Sequence, residues 1–433
     1  GVIEVNIPPN DNWEDMVTMT KSLYAAAKRT GLCAEKFMLD GKHTGTGGGN
    51  HIVMGAKTPS ESPFLKRPDL LASLIAYWNN HPSLSYLFSG LFVGPTSQAP
   101  RIDEGRQDSL YELEIALAEI AKAKEVSPWF IDRTLRNLLV DLTGNTHRSE
   151  FCIDKLFSPD SATGRLGLVE LRGFEMTPSF EMNLAQQLLI HSLLAMFWDK
   201  PYKQKLTHWK TTLHDRFLLP YFIREDFKEI IHDLNNDGIP IKLDHFSSHF
   251  EFRFPLHGKL SYQDINIELR YAIEPWHVLG EESAAGGTAR YVDSSLERLQ
   301  VEVNGLVDPR YIICCNQRKL PLVASGKEGH YVAGLRYRAW QPYSGLHPSI
   351  PVQTPLIFDI VDTVNMRAIA GCSYHVSNPS GKNSTDFPVN AREAEARRSS
   401  RFFNTGHNPG NIDKIPEEEI NPIFPSTLDL RYS

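Results

Sequence analysis

Hydrophobic positions follow two different patterns along the chain, and the change of pattern divides it into two parts. Residues 1–243 mix short alternating runs with longer apolar stripes of helical spacing, whereas residues 244–433 carry short alternating runs separated by turns. Apolar side chains at every second position indicate strands, and a spacing of three to four residues indicates helices. We therefore predict an α+β protein with a mixed domain over 1–243 and a β-rich domain over 244–433.

The same patterns predict individual elements. The first part should contain strands at 2–7 and 166–174 and helices near 11–30, 68–90, 109–125, 127–142 and 181–199. The second part should contain strands at 249–254, 265–273, 299–303, 311–315, 331–339 and 356–361. That spacing is typical of an antiparallel sandwich or barrel. Residues 376–433 are rich in proline, asparagine, serine and charge, and we expect them to wrap the surface or fray.

Composition narrows the class of protein. The 433 residues include 45 lysines and arginines against 52 aspartates and glutamates, a formal net charge of −7, and 41% are hydrophobic. These values argue against global disorder and against a general attraction to nucleic acid or anionic membranes. No apolar run approaches the ~18 residues of a membrane span, and five scattered cysteines favour a reducing, cytoplasmic location. The chain begins at Gly1 without a methionine, so we expect a C-terminal fragment of a longer protein.

Two acidic residues near the start are the first candidates for metal binding. Glu4 lies in the predicted opening strand, and Glu14 begins the helix after it. A carboxylate on a short apolar strand loses hydration unless it is paired or binds a metal. The alternative is a solvated glutamate on an exposed edge strand.

A glycine-rich segment is the second candidate. It spans residues 43–51 and ends in Gly47-Gly48-Gly49-Asn50-His51. Glycines let the backbone approach a ligand and offer unpaired N–H groups to an anion, and an imidazole beside an apolar strand can bind a metal. The segment lacks the Lys-Ser/Thr ending of a P-loop. A flexible hairpin with solvent-facing histidines is the alternative.

Several arginines are placed to bind an anion. Arg101 and Arg106 lie on a loop just before a helix, which suits clamping of phosphate or carboxylate. Arg148 lies in the charged segment 147–155, which would also suit a salt-bridged strand. For the first two arginines the alternative is a surface cluster that pairs with its own neighbouring acids.

Glu170 and Arg172 share one face of a predicted strand. A carboxylate can hold Mg²⁺ and a neighbouring arginine can neutralise phosphate charge, a combination that phosphoryl transfer requires. The same Glu-x-Arg pattern recurs at 251–253 and 268–270. At least some copies must therefore be plain cross-strand charge pairs.

Taken together, these residues favour Mg²⁺–nucleotide chemistry, because acids, a histidine, a glycine-rich turn and arginines all fall within the first 175 residues. The chain has neither the G-x-S-x-G motif of serine hydrolases nor the C-x-x-C and H-E-x-x-H motifs of zinc sites. The cysteines are better explained as buried structural thiols.

In the second half, residues 274–277 read Glu-Pro-Trp-His, which suits either a ligand-stacking loop or a buried tryptophan with a hydrogen-bonded histidine.

The order of the motifs resembles a known family. An acid near the start is followed by F-M-x-D-G-x-H-x-G-T-G-G-G-N-H, R-I-D-E-G-R, H-R-x-E-F-C-I-D-K and G-L-V-E-L-R-G-F-E-M. Further matches are E-P-W-H-V-L-G-E-E, Y-V-D-S-S-L-E-R-L-Q and R-F-F-N-T-G-H. This order resembles the amidoligase family of the glutamine-synthetase/glutamate–cysteine-ligase superfamily, bacterial proteins often fused to a transglutaminase-like domain.

The resemblance implies a fold and a set of site residues. It implies a curved antiparallel sheet backed by helices, as in glutamine synthetase, and a β-rich, sandwich-like accessory domain after it. It implies ATP and Mg²⁺ (or Mn²⁺) as cofactors. It assigns the metal to Glu4, Glu14, His51 and Glu170, the nucleotide to Gly47, Gly48, Gly49, Asn50 and Arg106, and the transferring phosphoryl group to Arg101, Arg148 and Arg172. The family's first acidic strand does not precede Glu4 here, so the fragment alone is expected to be impaired.

The implied function is ATP-dependent amide-bond formation, through an acyl phosphate, between a small-molecule or peptide carboxylate and an amine. The expected partners are these substrates and a fused or neighbouring transglutaminase-like domain, without nucleic acid or membrane. Two alternatives stay open: phosphotransfer of the guanidino-kinase type, and a non-catalytic scaffold or binding module for the transglutaminase-like domain.

Overall fold

The computed structural model of the chain describes residues 3–95, 97–105, 108–123, 127–284, 287–342, 345–377 and 384–432. The chain divides into two compact units. The first comprises residues 1–36, 44–210 and 224–249, and the second comprises residues 37–43, 211–223 and 250–433. Within the described ranges, no helix is both long enough and apolar enough to cross a membrane.

Helices dominate the chain up to residue 253. The helices are α1 (Trp13–Arg29), α2 (Pro63–Lys66), α3 (Pro68–Asn80), α4 (Ser83–Tyr86), α5 (Ile102–Gly105), α6 (Ser109–Lys122), α7 (Phe130–Leu135), α8 (Phe180–Asp199), α9 (Thr212–Arg216), α10 (Pro220–Asn236) and α11 (Ser247–Arg253). The strands in this part are short: β1 (Glu35–Phe37), β2 (His43–Gly45), β3 (Ile52–Met54), β4 (Phe151–Cys152) and β5 (Val169–Leu171).

Strands dominate the rest of the chain. They are β6 (Leu256–Tyr262), β7 (Ile265–Ala272), β8 (His277–Ala284), β9 (Gly287–Asp293), β10 (Leu296–Asn304), β11 (Tyr311–Cys315), β12 (Arg318–Lys319), β13 (Val323–Ala324), β14 (Tyr331–Arg338), β15 (Leu356–Asp362), β16 (Arg367–Tyr374), β17 (Phe402–Phe403), β18 (Gly410–Asn411) and β19 (Thr427–Asp429). One helix, α12 (Ala391–Ser399), lies among them.

A three-stranded antiparallel sheet, in the order β3-β5-β4, lies in the first unit. Ile52 and Phe151 pair with Leu171 from its two sides, and all three side chains are at most 2% exposed. This buried face packs against Trp78, whose ring meets Phe151 edge-on at 5.3 Å. Because side chains alternate along a strand, Glu170 points to the opposite, more open face.

Two long helices of the first unit show how the sequence sets helix position. Asn12 caps α1 by accepting the backbone N–H of Asp15 at 2.8 Å, and Ser179 caps α8 by accepting that of Met182 at 3.3 Å. α8 is apolar on almost every side and contributes many fully buried side chains, as expected for a helix inside a core. α1 buries only Thr20 and stays largely exposed.

Two six-stranded sheets and the two-stranded sheet β8-β9 lie in the second unit. One has the order β13-β14-β10-β7-β6 with β19 beside β14, and the other has the order β12-β11-β15-β16-β17 with β18 beside β16. Leu299 and Val301 of the first sheet and Phe358 and Ile360 of the second are fully buried in one hydrophobic cluster. Two sheets that share a core are a sandwich-like arrangement, and together with the helical first unit they confirm the α+β class.

Two predicted strands are wrong. Residues 3–10 form no strand, and Ile3 and Val5 are 64% and 55% exposed, because the alternating pattern finds no partner strand. Residues 249–254 fall mostly in α11, where Phe246, Phe250 and Phe254 are all buried at a spacing of four residues. That spacing favours a helix as much as the local alternation favoured a strand.

The C-terminal tail also differs from the prediction. We expected residues 376–433 to wrap the surface or fray, but β19 pairs in parallel with β14, and its Leu428 is 3% exposed within the hydrophobic cluster. One short apolar segment among polar residues is enough to enter the core when a sheet edge is available to pair with it.

Candidate functional site

The clearest polar group in the first unit surrounds Glu170, at the centre of β5. Its carboxylate lies 2.6 Å from Arg172 Nη1, 3.1 Å from His51 Nδ1 and 3.6 Å from Lys155 Nζ. We call these four residues the Glu170 cluster. They come from three separate segments of the chain, which the antiparallel pairing of β3, β5 and β4 brings together.

The strand register explains this geometry. Val53 and Cys152 are the direct cross-strand partners of Glu170. His51, two residues before Val53, therefore lies on the same face as Glu170, and so does Arg172. Val53 is 47% exposed, whereas Glu170 is only 6% exposed. On this face Val53 is open to solvent and Cys152 is buried at 2% exposure, and the basic neighbours of Glu170 shield its carboxylate.

The surroundings of Glu170 hold its carboxylate in the charged form. The hydrogen bond from His51 lowers the pKa of Glu170 most, burial raises it, and the charges of Arg172 and Lys155 lower it further, to about 2. An ionised carboxylate offers oxygens to a divalent cation, and the adjacent guanidinium and ammonium groups suit an anionic oxygen. The cluster therefore presents an ionised carboxylate and basic hydrogen-bond donors side by side.

Gly49 makes room for His51. A Cβ at position 49 would lie 2.3 Å from His51 Nε2, so a side chain there would displace the imidazole. Gly48 accepts the backbone N–H of Met176 at 2.9 Å, and Gly47 is exposed with a φ of +91°, which favours glycine. The glycines thus shape the backbone around the histidine.

Asn50 is tied to the surrounding protein. Its backbone N–H donates to the carbonyl of Phe174 at 2.9 Å. Its side-chain Nδ2 donates to Gln186 at 2.7 Å, and its Oδ1 accepts from Asn183 at 2.9 Å, both on α8. These contacts give Asn50 a structural role at the base of the glycine-rich segment, and its contact with a nucleotide stays a prediction.

Arg101 is buried, with only 3% of its surface exposed. All five of its N–H donors are engaged: Nε and Nη2 bond to Asp103 at 2.8 and 2.9 Å, and the others reach Ser85 Oγ and the carbonyls of Trp78 and Asn79. An arginine with its donors occupied inside the core stabilises the fold. This burial disfavours the predicted contact between Arg101 and a transferring phosphoryl group.

Arg148 and Arg106 are the other arginines of the first unit, besides Arg172, that were predicted to contact phosphate. Arg148 Nη1 lies 3.6 Å from Asp141, and its side chain is 14% exposed. Arg106 lies outside the described residues. The predicted roles of both in binding phosphate stay predictions.

Glu4 and Glu14 are exposed, the first in an extended segment and the second in the first turn of α1. Among the described residues, two groups of three bring metal-binding atoms within 4.8 Å of one another: His147, Cys152 and Asp154, and His81, Asp226 and Glu229. Neither group contains a predicted metal ligand. The structure thus brings His51 and Glu170 together, while the metal-binding roles of Glu4 and Glu14 stay predictions.

Sequence reasoning did not assign a role to two residues that matter here. Lys155 closes the H-R-x-E-F-C-I-D-K motif, and its position at the end of a charged segment was the available signal. Glu150 is 6% exposed and accepts the Nε1–H of Trp78 at 3.2 Å, while its backbone carbonyl accepts the N–H of Arg172 at 2.8 Å. Glu150 therefore supports the strand that carries Glu170.

Comparison with known protein families gives a match over almost the whole chain. The model of a family described as "Putative amidoligase enzyme (DUF2126)" matches residues 1–431 of the chain. No curated protein and no solved structure gives a significant match. Since the match covers nearly the whole length, the chain belongs to this amidoligase family.

Proposed function

We propose that this protein is an ATP- and Mg²⁺-dependent carboxylate–amine ligase, and that the Glu170 cluster is the centre of its active site. The observation that supports this most is the charge balance of the cluster: one ionised carboxylate lies against an arginine, a lysine and a histidine. That balance leaves positive charge for an anion. Membership of an amidoligase family gives the reaction type.

The donor set fits a metal–nucleotide complex. The carboxylate oxygens of Glu170, together with His51, would hold the divalent cation, and imidazole makes Mn²⁺ a suitable alternative to Mg²⁺. Arg172 and Lys155 would contact phosphate oxygens. When bound, ATP supplies the phosphoryl group that activates a substrate carboxylate for attack by an amine.

The protein's own residues would act by position and charge. Arg172 keeps one nitrogen on Glu170 and can turn its remaining donors to a phosphoryl group whose negative charge increases during transfer. His51 is fixed between Gly49 and Glu170, so its ring is oriented before any ligand arrives. Preorganised charges of this kind lower a reaction barrier without reorganising during the step.

ADP release tests the proposal. The protein would be incubated with ATP, Mg²⁺ and a panel of amino acids and peptides, beside a Glu170→Gln variant. Glu268→Gln is a matched control, since Glu268 also forms ion pairs with an arginine and a lysine on a strand. We expect Glu170→Gln to lose about 100-fold or more in ADP release and the control to keep its rate.

Product analysis separates the alternatives. An amide product with free phosphate supports ligation, whereas a stable phosphorylated product would replace it with phosphotransfer. Equal ADP release by Glu170→Gln and the parent protein would remove Glu170 from the mechanism. No ADP release by a folded protein that binds a transglutaminase-like domain would favour the scaffold alternative.

A further inference from the structure

Three side chains of the charged segment 147–155 bring a sulfur, a nitrogen and an oxygen close together. Cys152 Sγ lies 3.8 Å from His147 Nδ1, and Asp154 Oδ2 lies 3.2 Å from Nε2 of the same ring. Each residue offers one ligand atom that lies within 4.8 Å of the ligand atoms of the other two. One short segment of the first unit therefore gathers three atoms that can bind a metal.

The strand register and a turn fix the positions of the sulfur and the imidazole. Cys152 ends β4 and is the direct cross-strand partner of Glu170, so both side chains lie on the same face of the sheet. The backbone N–H of His147 donates to Asn145 Oδ1 at 2.9 Å, in the turn before β4. Cys152 is 2% exposed, whereas the side chain of His147 is 59% exposed. The sulfur therefore lies beside an imidazole that solvent reaches.

Asp154 is held in place by two further donors. Thr146 Oγ1–H bonds to its Oδ2 at 2.7 Å, and Arg136 Nη1–H bonds to its Oδ1 at 2.8 Å. Arg136 also forms an ion pair with the buried Asp132. In this group of described residues one base thus faces two acids, which leaves a negative charge for a cation beside the sulfur and the imidazole.

Cysteine, histidine and aspartate are also the parts of a thiol nucleophile with its base, and burial decides between the two roles. Reactive cysteines lie in partly exposed positions, because the substrate carbonyl has to approach the sulfur. Cys152 is almost fully buried in the middle of a paired sheet. A metal ion is much smaller than an acyl substrate and needs only to enter between the sulfur and the exposed ring. The arrangement therefore favours a metal.

The chemistry of the donors indicates which metal fits. Zinc prefers thiolate and imidazole ligands, whereas Mg²⁺ prefers oxygen. With Zn–S near ~2.3 Å and Zn–N near ~2.0 Å, a sulfur and a nitrogen that share a zinc ion lie roughly 3.5 Å apart. The observed separation of Sγ and Nδ1 is 3.8 Å. The most distant donors would have to approach by about 1 Å, which the exposed side chain of His147 allows.

We propose that Cys152, His147 and Asp154 form a zinc-binding site in the first unit, with water as the fourth ligand on the exposed side of His147. The thiol of Cys152 releases its proton to solvent when the metal binds. This site does not depend on the ligase proposal, because none of its ligands belongs to the Glu170 cluster.

Cobalt titration of the full chain tests the site, after a chelating agent has removed any bound metal. Co²⁺ replaces Zn²⁺ in such sites, and a thiolate bound to it gives a charge-transfer absorption in the near ultraviolet. We expect this absorption to saturate at equimolar Co²⁺, to disappear on addition of Zn²⁺ and to persist in excess Mg²⁺. No absorption, or its loss in Mg²⁺, would overturn the proposal. The spectrum does not involve ADP release, so failure of this site and failure of the ligase proposal are distinguishable.

Variants of the ligands connect the absorption to this segment. Cys152→Ser should abolish it, and Cys314→Ser is the matched control, because Cys314 is also a buried thiol on a strand. His147→Ala changes an exposed side chain, so it tests the site without disturbing the core. It should weaken Co²⁺ binding at least about tenfold, since losing even an outer hydrogen-bond partner of a ligand has that effect. His191→Ala, at an exposed position of α8, is its control.

Three results with these variants would contradict the assignment. They are absorption that persists in Cys152→Ser, unchanged Co²⁺ affinity in His147→Ala, and equal losses in the control variants. Alkylation of the metal-free protein addresses the nucleophile alternative: iodoacetamide should modify the exposed Cys33 at least about tenfold faster than the buried Cys152. Reaction at Cys152 as fast as at Cys33, or faster, would replace the metal site with a thiol nucleophile.

Discussion

Glu170 and Glu268 occupy matching positions in Glu-x-Arg strands, one in each compact unit, and both pair with the arginine two residues later and with a lysine. Their surroundings differ. At Glu268, the arginine also bonds to a second acid, Glu251, at 2.7 Å, so two acids balance two bases. At Glu170, a single acid faces an arginine, a lysine and a histidine. The same local pattern therefore belongs to a neutral group of four charged residues in one unit and to a group with surplus positive charge in the other.

The largest effect that separates the two pairs should come from their arginines. Arg172→Lys should lower kcat/KM for ATP by about 100-fold, because lysine cannot bond to Glu170 and still direct planar donors at a phosphoryl group. Arg270→Lys should stay within about twofold of the parent. Steady-state ADP release measures both variants. A similar fall in the two would show that the surplus of positive charge at Glu170 has no special role in activity.

The contact between Gly49 and His51 belongs to the Glu170 cluster alone. Gly49→Ala should displace the imidazole and lower ligase turnover by about tenfold, since His51 loses its fixed position against Glu170. Gly280→Ala is the control, because a Cβ there meets nothing within 4 Å. The His51 ring signals in NMR spectra report the displacement. Unchanged signals in Gly49→Ala would contradict the role of Gly49 in leaving room for the imidazole.

A third acid, the buried Glu150, should change the free energy of unfolding with pH in the opposite direction to Glu170. Burial raises the pKa of Glu150 to about 7 despite the charge of Arg101, from an ordinary value of 4.5. The folded state then binds more protons than the unfolded state between these two values, so the free energy of unfolding should fall as pH rises from about 4.5 to about 7. Glu150→Gln should remove this pH dependence and raise the free energy of unfolding at pH 8 by on the order of 2 kcal/mol.

Urea unfolding at pH 4.5, 6 and 8 measures this effect. Glu170 should show the opposite pH dependence, because its pKa is lowered to about 2. The stabilisation that its charged form contributes is present above about pH 4.5 and is lost as pH falls toward 2. Glu170→Gln should therefore leave the slope between pH 4.5 and 8 in place. A slope that persists in Glu150→Gln would show that another group causes it.

The smallest effect should come from the lysines. Lys155 lies 3.6 Å from Glu170 with its side chain 49% exposed, so Lys155→Gln should change the free energy of unfolding by less than about 0.5 kcal/mol. It should still raise KM for ATP by about threefold, because a positive charge near the phosphates is lost. Lys259→Gln, its counterpart beside Glu268, should leave KM unchanged. Equal KM values in the two variants would remove Lys155 from the site.

Much of the architecture was predictable because it depends on local periodicity. The strands at 311–315 and 356–362 and the helix at 180–199 appear where alternating or helical apolar spacing placed them. The errors lie where two periodicities coexist or where a strand needs a partner. Residues 249–254 satisfy both a strand and a helix pattern, and residues 3–7 of the predicted strand 2–7 have the alternation of a strand but pair with no other strand among the described residues.

The prediction of the candidate site was limited in the same way. The sequence singled out Glu170, Arg172 and His51 as candidates by residue type and motif, and the structure brings these three residues into contact. It also singled out Arg101, whose burial depends on the carbonyls of Trp78 and Asn79 from a distant helix. Spacing along the chain carries no information about which donors a folded core will occupy.

Periodicity and local motifs were enough to predict most of the helices and strands, the two-part composition and the resemblance to an amidoligase family. The folded structure alone shows which Glu-x-Arg pair has surplus positive charge and which arginine has its donors occupied inside the core. Those properties depend on the sum of charges and hydrogen bonds contributed by segments far apart in the chain. That sum exists only once the strands have paired.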